Sequence, residues 1–471
     1  MFENKFKENN SYTCDQKNVF IFDIFTFNQI RNFKMKPGKM KYSKLITIGI
    51  LFAFMLNINA QDWPQYLGPN GNGVSDQKGI LRSWPAKGPE VLWITDVGRG
   101  FGGPVISKGK VYLLDRTDGV CDIMRCFDLS TGKELWKFSY DSPGTVSFPG
   151  SRSVPVIDGN FVYSCGHNGD LYCIDVNTHK PVWNKNVWKD FGGDQLPRWA
   201  IVQNTLVYAD LLILASQAPE AGVVAYEKLT GKVKWTTPSL GSVGYVSPAL
   251  VKVGNEDHVV MITASSRVGE DEGDSKVVGI NPRTGKILWE YTNWSCRIPV
   301  PGAVDAGESR ILITGGYRAG AAMIRVSKKA DGKYEVAEIY RNPDFGSHTQ
   351  PPVFINGNFY VQYSTNDRKD GLVCMSIDGK VSWRTMRAPL FDKGGILVAD
   401  GLLIATDGMS KLYLIQPDPA AFKPIATADI LKAEQMEDQR FPAQNWAPLA
   451  LADGKLLIRD QSRLMCIRIA K

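Results

Sequence analysis

The sequence predicts an all-β fold: an eight-bladed β-propeller of four-stranded blades, its ring closed by an N-terminal strand. Three observations lead there. A short phrase ending in Trp recurs down the chain, each copy is preceded by a turn and β-rich runs, and no 3.6-residue apolar period of any length separates the copies. A unit of roughly 40–55 residues holding about four short strands is the signature of a propeller blade.

The phrase occurs in full at Cys126–Trp136 (CFDLSTGKELW), Cys173–Trp183 (CIDVNTHKPVW), Ala225–Trp235 (AYEKLTGKVKW) and Gly279–Trp289 (GINPRTGKILW), and one residue shorter at Cys374–Trp383. The Trp spacings are 47, 52 and 54, then 94, which is two units. Degraded copies at Arg325–Tyr334 and Leu412–Asp418 fill the gaps. Ahead of the phrases, β-rich runs follow Asp/Gly turns: Gly109–Leu114, Gly159–Tyr163, Asp210–Leu214, His258–Ile262, Ser309–Ile313, Gly357–Val361, Gly401–Ile404 and Gly454–Ile458. That counts eight units; seven is the alternative count, because units five and seven are degenerate. The last unit, 444–471, has no Trp-ending strand, whereas Glu90–Trp93 is such a strand without a unit. Residues 90–95 are therefore expected to complete the last blade, leaving no free sheet edge at the seam.

Within the phrase, Asp128, Asp175 and Asn281 suit a tight connection by accepting backbone N–H groups. Gly132, Gly231, Gly285 and Gly379 suit the positive φ of that turn. Trp93, Trp136, Trp183, Trp235, Trp289 and Trp383 are expected on outer strands, docked against the neighbouring blade. Cys126, Cys173, Cys374 and Cys466 share one column with Ala225 and Gly279, which reads as a slot for small residues and buried free thiols. Disulfides Cys121–Cys126 or Cys165–Cys173 are the alternative.

Composition narrows function. The formal charge is +7, from 55 Lys and Arg against 48 Asp and Glu, but residues 1–60 hold nine of the bases and four of the acids. The remainder is nearly neutral at +2, without the clustered basic footprint of a nucleic-acid binder. Within the front end, the basic segment Met40–Lys44, the apolar run Leu45–Leu56 and Asn57–Ala60 read as a secretory signal cleaved near Ala60. The run is shorter than the ~20 residues of a membrane span, so no stable span is expected after its removal. The division is a leader at 1–39, attributed to a start placed ahead of Met35 or Met40, a signal peptide at 40–60, a lead-in at 61–89 and the propeller at 90–471. The expected location is the periplasm or the cell exterior.

The repeating phrase, with a small residue first, Gly seventh and Trp last, resembles the tryptophan-docking repeat of pyrroloquinoline-quinone (PQQ)-binding-like propellers. The lead-in Asp62–Ser75 (DWPQYLGPNGNGVS) is similar to the opening of an exported bacterial group of such proteins, which usually has Trp-Arg where this chain has Tyr66-Leu67. The resemblance spans about residues 62–471 and implies fold more strongly than chemistry, since the repeat also occurs in scaffold propellers. For the quinoprotein dehydrogenases it implies an adjacent Cys-Cys pair, acidic and amide Ca²⁺ ligands and an Asp base. No adjacent cysteines occur here. His167, His179, His258 and His348 lack metal-binding spacing, and the acidic run Gly269–Asp274 lacks that of an EF-hand and reads as a solvated loop. No P-loop, dinucleotide fingerprint or nucleophile elbow is present.

Loops leading into the innermost strands converge on a propeller's channel, so functional groups are expected there. The candidates are Arg152, Arg198, Trp199, Tyr245, Arg297, His348, Gln350, Asn445 and Trp446. Arginine among aromatic rings suits a polar or anionic ligand, while the plain alternative is that these residues plug the channel. The leading expectation is a non-catalytic binding or scaffold module for a protein or carbohydrate partner, without cofactor or metal. The alternative is a PQQ- and calcium-dependent alcohol or sugar oxidoreductase.

Overall fold

Every unit alternates apolar runs with Gly- and Asp-marked turns, and each folds into one antiparallel sheet. The structure, a computed structural model, describes residues 62–266, 274–365, 368–433 and 443–471. The leader 1–39, the signal segment 40–60 with its cleavage point, and all of the acidic run except Asp274 lie outside them.

Eight sheets follow one another along the chain. Blades one to four begin with Val105–Ser107, Val156–Asp158, Leu206–Tyr208 and Ala249–Val253, and end with Glu134–Gly144, Lys180–Asn186, Val233–Thr236 and Ile287–Tyr291. Blades five to seven begin with Val304–Asp305, Val353–Ile355 and Ile396–Ala399, and end with Tyr334–Asn342, Val381–Arg384 and Lys423–Asp429. Blade eight takes Ala450–Ala452, Lys455–Arg459 and Arg463–Arg468 from the C-terminal side and Glu90–Asp96 from the N-terminal side. Glu90–Asp96 pairs antiparallel with Arg463–Arg468, so the ring closes as the orphan strand implied. First strands of neighbouring blades touch one another and form the inner wall. One 3₁₀ turn, Lys189–Phe191, is the sole helical element among the described residues.

The repeating phrase is a joint between blades. Asp128, Asp175 and Asn281 each accept two backbone N–H groups through Oδ1, at 2.7–3.1 Å. The Trp indoles reach across to the next blade's turn: Trp93 Nε1 donates to Leu129 O, Trp183 to Lys228 O, Trp235 to Pro282 O and Trp383 to Asp418 O, at 2.9–3.1 Å. A Cβ placed on Gly132, Gly231 or Gly285 would lie 2.5–2.7 Å from the ring of Trp93, Trp183 or Trp235. Glycine is needed there for space as well as for φ values of 68–73°. Variant joints follow the same geometry. Tyr340 replaces the Trp in blade five and lies against Gly379. In blade two His179 replaces the Gly, and its ring stacks on Trp136 at 5.0 Å.

The small-residue column has a physical cause too. Cys126, Cys173, Ala225, Gly279, Cys374 and Cys466 each pair across strands with the Trp of their blade's outer strand. A Cβ at Gly279 would come within 2.0 Å of Trp289. That indole turns inward, donating to His258 Nδ1 at 2.9 Å. All seven cysteines among the described residues are buried thiols, and none is in a disulfide.

The seam between blades eight and one carries a buried charge network. Arg459, from blade eight, is 1% exposed and bonds Asp115 of blade one at 3.1 Å, with Ser151 Oγ and the carbonyls of Gly98 and Gly102 as further acceptors. Asp115 in turn holds Arg125 at 3.0 Å.

The lead-in crosses the bore. Trp63 exchanges two backbone bonds with Ile106 in blade one, and Pro64 O accepts from Ile157 in blade two. Nine residues later Gly73 lies against Val353 of blade six, and Val74–Ser75 pairs in parallel with Val398 and Ala399 of blade seven. Blades two and six face each other across the ring of eight, so residues 64–73 span the channel. Asp62 bonds Ser107 and Lys108, Ile80 bonds Asp400 and Gln77 bonds Gly454, all at or beside first hairpin turns. The crossing therefore floors that end of the channel.

Candidate functional site

Above this floor lies a cavity of about 480 Å³, within the range of small-molecule sites. Tyr66, from the lead-in, contributes to its lining, and burial raises that hydroxyl's pKa. Most of the remaining wall comes from the connections into the inner strands and obeys a simple register, with Tyr317 and Lys369 added from the second hairpins of blades five and six. The residue four positions before each first strand lines the cavity in all eight blades: Phe101, Arg152, Val202 and Tyr245 in blades one to four, then Val300, Thr349, Asp392 and Trp446.

Of the nine residues singled out in the sequence, Arg152, Trp199, Tyr245, His348, Gln350 and Trp446 line this cavity. Arg198 is exposed and stacks over Trp199 at 5.3 Å, and Arg297 is exposed away from the lining. Asn445 is buried, its amide donating to Met409 O and Lys432 O, which fixes the loop behind Trp446. Sequence reasoning missed Phe101, Phe148, Tyr317, Lys369, Asp392 and Lys393. Counting back four residues from the inner strand of blade seven would have found Asp392, with Lys393 beside it.

The electrostatics are one-sided. Three cations, Arg152, Lys369 and Lys393, face one carboxylate, Asp392. Arg152 donates to the main-chain carbonyls of Ser147, Phe148 and Trp199, and no described carboxylate lies within ion-pair distance. Burial lowers its pKa to about 10, so it stays charged at neutral pH. Lys393 is 7% exposed, bonds Asp392 at 2.7 Å, and sits 4.4 Å from the Trp446 ring centroid, a cation–π contact. Lys369 approaches the same carboxylate oxygen at 3.7 Å. Burial, then the nearby Lys393 charge, lowers His348 to about 4 and keeps it neutral. Its ring reaches Tyr317 Oη at 3.1 Å and Ser364 O at 3.3 Å.

Aromatic rings supply the flat surfaces. Trp446 packs against Phe101 at 5.5 Å and Phe148 at 6.0 Å, and Trp199 meets Tyr245 edge-on at 5.2 Å. Gln350 Nε2 donates to Trp446 O, while Gln350 Oε1, Trp446 Nε1 and Arg152 Nε are buried without protein partners.

The donor set does not fit a calcium–quinone centre. Asp392 is the single carboxylate in the lining and is already ion-paired with two lysines. No cluster of three His, Cys, Asp or Glu able to hold a metal occurs among the described residues. No two cysteines are adjacent in sequence, and none among the described residues lines the cavity.

Comparison with known proteins shows what this geometry resembles. Residues 121–297 match the family model described as outer membrane protein assembly factor BamB. The chain is a PQQ-like β-propeller. Among curated relatives, this propeller is 24% identical over 168 residues to outer membrane protein assembly factor BamB of Shewanella oneidensis, a match covering 35% of this chain and 40% of that protein. It is 27% identical over 160 residues to quinoprotein ethanol dehydrogenase of Pseudomonas aeruginosa, covering 33% of this chain and 24% of that enzyme. The matches thus span less than half of either relative. The crystal structure of quinohemoprotein alcohol dehydrogenase from Comamonas testosteroni superposes with a TM-score of 0.56 at 14% identity, over 87% of this chain and 81% of that one. That likeness shows the fold alone. No helix among the described residues is long and apolar enough to cross a membrane.

Proposed function

We propose that this propeller is an exported, non-catalytic binding module, and that its partner, a protein or a glycan, docks on the open face with an anionic group in the cavity. The observation that carries the reading is the cavity's charge: three cations around one carboxylate that two of them already hold. A carboxylate so paired is poorly placed as a general base or as a ligand for a divalent cation. The relatives named as outer membrane protein assembly factors support a scaffold role in the cell envelope, and the signal-like segment 40–60 supports export.

Its competitor is the oxidoreductase reading, supported by the quinoprotein relatives. Adding PQQ and Ca²⁺ to the purified chain, with a redox dye and a panel of alcohols and sugars, separates the two. No dye reduction above the protein-free rate is expected. Substrate-dependent reduction that Asp392→Asn abolishes would overturn the binding-module reading.

A further inference from the structure

Resting on that reading, we infer that the cavity is a blind site for the acidic end of a glycan, taking a terminal pyranose that carries a carboxylate. Charge supplies the first reason. Arg152 is held by three neutral carbonyls, so its plane is fixed, and no described carboxylate lies within ion-pair distance of it. With Lys393 across the same space, an entering carboxylate meets two cations, and Arg152 keeps one Nη1 hydrogen beyond its bonds to the carbonyls.

The walls supply the second. Trp446, Phe101 and Phe148 pack together, and Trp199 and Tyr245 form a second aromatic pair. One face of a pyranose presents C–H groups of partial positive charge, which lie well against the negative face of an aromatic ring. The ring hydroxyls, each both donor and acceptor, suit the polar lining residues Ser247 and Thr349. An acidic peptide segment is the weaker match. Its main chain offers no C–H face of comparable extent to the aromatic rings.

The floor supplies the third. Because residues 64–73 span the channel from blade two to blade six, a polymer cannot thread it and must enter end-on. The site therefore distinguishes a terminal acidic sugar from the same sugar inside a chain.

Calorimetric titration of the full chain tests this with four probes. They are a tetrasaccharide ending in glucuronate, the same tetrasaccharide ending in glucose, one with its glucuronate internal, and a tri-glutamate peptide. The terminal glucuronide is expected to bind at least tenfold more tightly than each of the others. Arg152→Gln should weaken it at least tenfold, and Arg297→Ala, outside the cavity, should leave it unchanged. Because Arg152 also ties three loop carbonyls, Lys393→Met serves as the second variant, with a loss of at least fivefold expected. Equal binding of the neutral or internal probe, tighter binding of the peptide, or no saturable binding of the terminal glucuronide would overturn the assignment. Peptide binding without dye reduction would sink only the glycan, whereas dye reduction would sink the binding-module reading beneath it.

Discussion

The joint between blades three and four offers a coupled perturbation whose size follows from the structure. Gly285 has φ of 73°, and a Cβ there would lie 2.5 Å from Trp235 Cε3. Gly285→Ala therefore incurs two separable costs. Holding a residue with a Cβ in the left-handed region costs about 1–2 kcal/mol. Forcing the indole aside in a packed site costs a further 1–3 kcal/mol, roughly. Trp235 is 8% exposed and donates to Pro282 O at 3.1 Å, so Trp235→Ala should cost about 3–5 kcal/mol. In the double variant the indole is gone, and only the backbone cost of the alanine in the left-handed turn remains. The two substitutions should thus be less than additive, with a coupling of about 1–3 kcal/mol. Urea unfolding of the four proteins, followed by tryptophan fluorescence and by far-ultraviolet circular dichroism, measures this. Additivity within about 0.5 kcal/mol would refute the idea that Gly is kept for the Trp ring. So would a cost under about 1 kcal/mol for Trp235→Ala.

Three further outcomes follow from the same contacts. Asp115→Asn leaves the Arg459 charge buried among carbonyls at the ring seam, and should lower the urea stability by about 3–5 kcal/mol; a change below about 1 kcal/mol would show that the seam does not depend on the pair. Burial lowers the pKa of His167 to about 4, so the native state keeps it neutral while the unfolded chain protonates near pH 6.5. Stability should therefore fall as pH drops from about 6.5 to about 4 and level off below, and His167→Gln should flatten that slope by about one proton. An unchanged slope contradicts the assignment. Iodoacetamide at pH 8 should label none of the buried thiols in the native chain, since burial pushes Cys126, Cys173 and Cys296 up to about 12; mass spectrometry before and after unfolding reads the result, and native labelling of Cys126 would count against the slot.

The ring was legible because its joints repeat. Trp, Gly and the turn acid must coincide for one blade to dock on the next, and that geometric demand leaves a spacing of about fifty residues in the sequence. Even the departures are readable afterwards: His179 stacks where Gly is missing, and Trp289 turns inward to His258 over Gly279. The role of the lead-in was not legible. Its residues pair with the edges of strands far away in sequence, as Val74 does with Val398, and nothing local in Asp62–Ser75 encodes that partner.

The site was half-legible for a reason that concerns repeat proteins generally. Eight equivalent positions, four residues before each inner strand, converge on the cavity, yet they hold Phe, Arg, Val, Tyr, Val, Thr, Asp and Trp. Joints are found by looking for what recurs, whereas a ligand that lacks eightfold symmetry can be recognised only by what differs from blade to blade. Arg152, Tyr245 and Trp446 stood out because their side chains are conspicuous in a loop. Asp392 did not, although its pairing with Lys393 decides which charge the cavity offers. The repeat fixes where most of each blade's contribution falls, and the irregularity within that column, with Lys393 beside it and Lys369 outside it, carries the chemistry. Exchanging Arg152 and Thr349 between blades two and six tests this directly. The ring should still fold, because neither residue belongs to a joint, while binding of the terminal glucuronide should drop at least tenfold as the guanidinium moves away from the carbonyls of Ser147, Phe148 and Trp199. Unchanged affinity would mean that only the cavity's total charge matters, and that the order of residues around the ring does not.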